Sequence, residues 1–102
     1  MKISMVYLYD IYAPLLNERQ REVLELYYNE DQSLAEISEN VGITRQGVRD
    51  AIKHGVESLL ALERALEFEK KSASIVSLAT RIQQSEDINE AHRLAESIIG
   101  EI

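Results

Sequence analysis

The sequence predicts an all-α protein. Apolar residues recur at spacings of three and four along almost the whole chain, no stretch alternates in the manner of a strand, and helix-capping residues stand in front of several periodic runs. The single Pro and four scattered Gly leave long stretches free of helix breakers.

The elements follow in order. Met5, Leu8, Tyr9 and Tyr12 share one face of a first helix, and Pro14 disfavours helical geometry at Ala13, where it should end. Asn17 is placed to cap a second helix with Gln20 as its capping-box partner, and Val23, Leu24, Tyr27 and Tyr28 form the expected buried face. "NEDQ" is a polar turn. Ser33 then caps a short third helix with Leu34, Ile37 and Val41 inward, and Gly42 supplies the positive φ that closes it. Ile43 packs back and Thr44 caps a long fourth helix, whose stripe is Val48, Ile52, Val56, Leu59 and Leu66, weakened only by Gly55. "KKSAS", residues 70–74, is the best boundary. It separates a domain of residues 1–71 from a C-terminal helical extension, 72–102, that packs back or dimerises. In the extension Ile75, Leu78, Ala79 and Ile82 make one amphipathic helix. Asp87 with Glu90 boxes the last, lined by Ile88, Ala91, Ala95, Ile98 and Ile102.

Composition narrows the function. A chain of 102 residues with 45% hydrophobic and 28% charged residues can build a core. The absence of Cys excludes disulfides and thiolate metal sites and fits a reducing cytosol. The apolar N-terminus "MKISMVYLYDIYAPLL" is interrupted by Asp10 and too short to span a bilayer, so a cytoplasmic protein is expected. Net charge is -7, which disfavours blanket nucleic-acid binding, but the charge is segregated. Residues 17–40 set two Arg against seven carboxylates, whereas residues 41–54 set Arg45, Arg49 and Lys53 against Asp50 alone.

"SLAEISENVGITRQGVRDAI" supplies a first helix, a Gly-containing turn and a second helix, the parts of a helix-turn-helix. Leu34, Ile37, Val41, Ile43, Val48 and Ile52 would be its packing set, with Ser38 where a small residue must face the second helix. Its exposed positions are then Arg45, Gln46, Arg49, Asp50 and Lys53. Arg and Gln can make bidentate contacts to base edges, and Thr and Lys suit phosphates. The candidate nucleic-acid surface is Thr44, Arg45, Gln46, Arg49, Lys53 and His54. An ordinary helical hairpin with a solvated charged face would look similar, Asp50 interrupts the basic face, and Gly47 weakens the helix by up to about 1 kcal/mol.

No phosphate-cradling loop followed by Lys and Ser or Thr is present, and His54 and His92 lack ligand-like neighbours at metal spacing. Glu18, Glu22 and Glu25 read as a solvated acidic face, and the tyrosines as core residues. We expect neither enzymatic activity nor a cofactor or metal.

Over "LLNERQREVLELYYNEDQSLAEISENVGITRQGVRDAIKHGVESL" the chain is similar to region 4 of bacterial sigma factors, a three-helical, winged-helix-like type of helix-turn-helix that contacts promoter DNA. More specifically, "LYDIYAPLL", "ELYYNEDQSLAEI" and "TRQGVRDAIK" in this order resemble the YlxM family of small bacterial proteins, over about residues 5 to 68. That resemblance implies a regulatory protein of the signal recognition particle pathway. Its partners would be the particle's RNA, or DNA, and the particle's GTPase. Gly47, Arg49 and His54 depart from the family pattern, which usually has Ala, an aromatic and a basic residue there. Two other readings remain. One is a sigma-like transcription regulator on operator DNA. The other is a protein adaptor using its acidic helices. The long fourth helix, with an apolar stripe that must be covered, adds the expectation of a homodimer.

Overall fold

Each expected cap begins a helix in the computed structural model, which describes residues 4–101. Among these residues the α-helices are α1 (Met5–Tyr12), α2 (Glu18–Leu24), α3 (Leu34–Val41), α4 (Arg45–Leu66), α5 (Phe68–Gln84) and α6 (Ile88–Gly100). Helix α1 stops beside Pro14, which sits in a single 3-10 turn, Ala13–Leu15. The chain divides between Leu66 and Glu67 into two compact units.

Local chemistry explains the boundaries in the first unit. The Asn17 carboxamide accepts from the Gln20 N–H at 2.8 Å, and the Gln20 side chain accepts in return from the Asn17 N–H at 3.3 Å. Ser33 and Glu36 exchange the same two bonds at 3.1 and 3.2 Å. Gly42 closes α3 at φ 78°, a conformation open to Gly without a Cβ penalty. The α2 helix does not continue regularly. Residues Glu25–Asn29 form a π turn, closed by the Glu30 N–H on the Glu25 carbonyl at 3.2 Å. The wider turn advances each residue by a smaller angle, so Tyr27 falls back to the rim. It is exposed, against the sequence expectation, while Tyr28 stays half-buried. The two rings meet edge to face, centroids 5.0 Å apart.

Two adjoining clusters make the core of this unit. Leu8, Tyr9, Tyr12, Leu16, Leu24 and Leu59 form one, and Val23, Ile37 and Val48 the other, with Ile52 of α4 packed against both. The buried line of α4 runs Val48, Gly55, Leu59 and Glu63, and the Tyr12 hydroxyl donates to Glu63 Oε1 at 2.7 Å. Leu66, expected on that line, is exposed because it is the last residue of the helix. Gly55 is no mere weak point. A Cβ there would lie 2.7 Å from Leu24 Cδ1, so α2 and α4 cross at this glycine.

Tyr9 is buried and its hydroxyl donates to the Arg21 carbonyl at 3.2 Å. Burial, reinforced by Glu25, raises its phenol from 10.0 to about 12. Burial pushes the Tyr28 phenol up as well. A phenol that ionises later when folded contributes stability that is complete below its unfolded value. That contribution is lost as pH climbs from about 10 towards 12. Urea denaturation at stepped alkaline pH should therefore show the protein losing about 2–3 kcal/mol across this window. Tyr9→Phe should remove most of the slope, and an unchanged slope would show that Tyr9 does not carry it.

The second unit is an antiparallel hairpin of α5 and α6 joined by three residues. The Ser74 hydroxyl near the start of α5 donates to Glu101 beyond the end of α6 at 2.8 Å. Three expectations change here. The break falls at Glu67, which is left-handed at φ 49°, and α5 runs uninterrupted through Lys70–Ser74. Neither Gly nor Pro marks the break. Asp87 does cap α6, but on the Asn89 N–H at 2.9 Å, one residue short of the box with Glu90. Leu94 is the buried residue of α6, flanked by half-buried Ala91 and Ile98, whereas Ala79, Ile88 and Ala95 are exposed. Ile102 lies outside the described residues.

Candidate nucleic-acid interface

The turn between α3 and α4 is pinned from both sides. The Ser38 hydroxyl donates to the Ile43 carbonyl, so the small residue facing the second helix also holds the turn. Thr44 Oγ1 accepts from the Gly47 N–H at 3.0 Å and caps the second helix. Ile43 closes the apolar contact by packing on the Val23–Ile37–Val48 cluster. A Cβ at Gly47 would lie 3.2 Å from Thr44 Oγ1, so the glycine sits tightly under the cap it donates to. Replacing Thr44 by Ala should lower unfolding free energy by about 1 kcal/mol in urea titration, and no change would mean that the cap contributes nothing.

All six sequence-predicted residues, Thr44, Arg45, Gln46, Arg49, Lys53 and His54, are exposed at or along the first three turns of α4. Successive residues turn by about 100°, which puts Arg45, Arg49 and Lys53 on one line, drifting by only about 40° per step. Gln46, Asp50 and His54 form a neighbouring line. The two lines differ in what they offer. The Gln46 carboxamide donates to Asp50 Oδ1 at 3.0 Å, which engages one of its two N–H groups and ties its orientation to the neighbouring carboxylate. An i, i+4 pair of Gln and Asp is a known helix-surface bond, and that spacing was the available signal for it. The Thr44 oxygen is likewise engaged in capping, which leaves its O–H to donate. Arg45, Arg49 and Lys53 are therefore the side chains suited to an anion, seated at the helix end where the backbone dipole is positive.

The surroundings confine this line. Glu57, one turn beyond Lys53 and also exposed, ends the positive stretch, and Asp50 borders it. Glu18, Glu22, Glu30, Asp31, Glu36 and Glu39 are exposed on the preceding elements. An anionic ligand thus meets one short cationic strip on an otherwise acidic unit. Among the described residues, no group of three or more His, Cys, Asp or Glu could hold a metal ion, and no helix is long and apolar enough to cross a membrane.

The chain is similar in sequence to known proteins. Residues 1–98 match the family described as "UPF0122: Putative helix-turn-helix protein, YlxM / p13 like". The chain is similar to the UPF0122 protein of Caldanaerobacter subterraneus subsp. tengcongensis, 43% identical over 80% of this chain and 70% of the relative. It is also similar to that of Halalkalibacterium halodurans, 37% identical over 94% and 92% of the two chains. The Clostridium kluyveri UPF0122 protein is 33% identical over 99% and 97%.

Proposed function

Since the chain belongs to this UPF0122 family of YlxM-like helix-turn-helix proteins, we propose that it is a cytoplasmic, non-enzymatic regulator that binds nucleic acid through the exposed start of α4 and acts in the signal recognition particle pathway. One observation carries the reading: Arg45, Arg49 and Lys53 stand in line, exposed, on the second helix of a capped helix-turn-helix. In that motif the N-terminal residues of the second helix are those that reach a nucleic acid. The pathway assignment rests on the resemblance of "LYDIYAPLL", "ELYYNEDQSLAEI" and "TRQGVRDAIK" to the YlxM family. The particle's RNA is then the expected partner, gripped through phosphates at a loop or a distorted helix, because the major groove of A-form RNA is too narrow for side chains to read.

Fluorescence anisotropy at two salt concentrations tests this, with the particle RNA, random duplex DNA, a DNA pool enriched by selection, and the particle's GTPase as ligands. Preferential, salt-sensitive binding of the particle RNA supports the proposal. Preference for selected DNA would replace it by a sigma-like transcription regulator, which the position of the arginines in the first turns of α4 also suits. Binding of the GTPase alone would move the site to the acidic helices.

A further inference from the structure

We propose that one face of the α5–α6 hairpin is a dimer interface that docks on the same face of a second copy of this chain. The inference starts from an apolar line the hairpin leaves in solvent. Helix α6 meets α5 through Ala91, Leu94 and Ile98, yet it carries a second line, Ile88, His92, Ala95 and Ile99, in which Ile88 is 69% and Ile99 73% exposed. Those positions repeat at four, three and four, the spacing by which helices pair in bundles. On α5, Val76 is 63% exposed and Ala79 is exposed, beside the half-buried Ile75, Leu78 and Ile82.

The two lines lie on one side of the hairpin. At about 100° per residue, each is rotated by roughly 100° from the line that meets the other helix. In antiparallel helices the same sense of rotation carries both lines to the same side. The opposite side is polar, a shallow groove lined by Arg81, Glu90, Arg93 and Ser97 between the two leucines Leu78 and Leu94. The hairpin thus has an apolar face and a charged one.

Three arguments select a second copy as the occupant. The unit has 36 residues, from Glu67 to Ile102, and its buried hydrophobic residue among those described is Leu94. Helical units below about 40 residues usually require oligomerisation or a comparable reinforcement to hold together. The α6 line is also self-complementary. In an antiparallel pairing about a two-fold axis, Ile88 of one copy meets Ile99 of the other, and the small Ala95 meets His92, so bulk fits against bulk at the ends and against space at the centre. Finally, the line carries no carboxylate and His92 is its sole titratable side chain, so a chain of net charge -7 brings little like charge to this contact. Two helices roughly 20–25 Å long and about 10 Å apart present roughly 500 Å² in projection, which side-chain relief brings towards the about 800 Å² per partner of a standard interface. The product is a four-helix bundle.

Sedimentation equilibrium of the full chain over a wide concentration range tests the proposal. The expected result is a species of twice the 11.6 kDa chain mass. The Ile88→Glu/Ile99→Glu variant should dissociate at least about 100-fold more readily, because each copy would bury carboxylates against apolar surface. Circular dichroism then shows whether the variant's helices persist. A second readout does not depend on that variant's folding. The chain has no Cys, so Ala95→Cys cross-links only between copies under mild oxidation, and Arg93→Cys on the polar face should not. A monomer at all concentrations, a dimer indifferent to the two glutamates, or equal cross-linking at both positions would overturn the proposal. The interface is independent of the nucleic-acid reading. Arg45→Glu/Arg49→Glu should leave the dimer intact, so failure of one proposal does not disguise failure of the other.

Discussion

Reversing two charges in the first turns of α4, Arg45→Glu/Arg49→Glu, should weaken nucleic-acid binding by at least about 100-fold while leaving the protein folded. Each arginine that makes a bidentate base contact is worth about 1–3 kcal/mol, and two of them together span roughly 30-fold to more than about 10,000-fold in affinity. The salt dependence should fall with it, since the slope of log affinity against log salt loses about one unit for each phosphate contact removed. Stability should hardly change. Both side chains are exposed, and a Glu in the first turn of a helix suits the positive end of its dipole. Equal affinity and equal slope in the variant would remove α4 as the binding surface. Gln46→Ala should have a smaller effect, because Gln46 carries no charge and one of its two N–H groups is already engaged by Asp50.

The largest loss of stability should come from Gly55→Val. Even a single added carbon would press on Leu24, with contacts of 2.7 Å to Cδ1 and 3.2 Å to Cγ. Leu24 is fully buried, and interiors are close-packed, so the strain should be relieved by separating α2 from α4. Overpacking of this kind costs about 1–3 kcal/mol, and the two methyl groups of Val put the expected loss at about 3 kcal/mol. Gly55→Ala should fall between, since its better helix propensity returns up to about 1 kcal/mol. Denaturant midpoints for the three proteins should order Gly, Ala, Val from highest to lowest. A stabilised Ala variant would show that Leu24 can move aside cheaply.

What the sequence made legible was local. Asn17 with Gln20, Ser33, Gly42 and Thr44 each set a helix end through bonds spanning three or four residues, and those bonds are readable wherever the residues stand. The helix-turn-helix packing set followed from the same short-range spacing. The departures came where tertiary demands override local preference. The π turn that exposes Tyr27 has no signature in residue type. It goes with packing that residue type does not encode: α2 meets α4, while the π turn itself meets both α1 and α3. The break at Glu67 uses a left-handed non-Gly residue, a cost of roughly 1–2 kcal/mol that no propensity scale anticipates. In α6 the two apolar lines overlap in spacing, so periodicity returned a mixture of them and missed Leu94. For Gly55 the residue was noticed but its role was inverted, because a close approach is a property of the partner helix. As for the α4 strip, composition and spacing identified the exposed side chains, whereas the tie between Gln46 and Asp50 went unread although its i, i+4 spacing signals it.

The π turn at Glu25–Asn29 has a consequence for chain length. A turn closed from residue 30 back to residue 25 holds one more residue than a regular helical turn, for nearly the same advance along the axis. The surplus falls at the exposed Tyr27, while Leu26 and Tyr28 pack on the core. Deleting Tyr27 would close the segment as ordinary α-helix and leave the Ser33 cap and everything after it in place. At this point the fold should be able to lose a single residue without shifting the helix-turn-helix, so here a deletion is absorbed by the winding of a helix instead of by a loop.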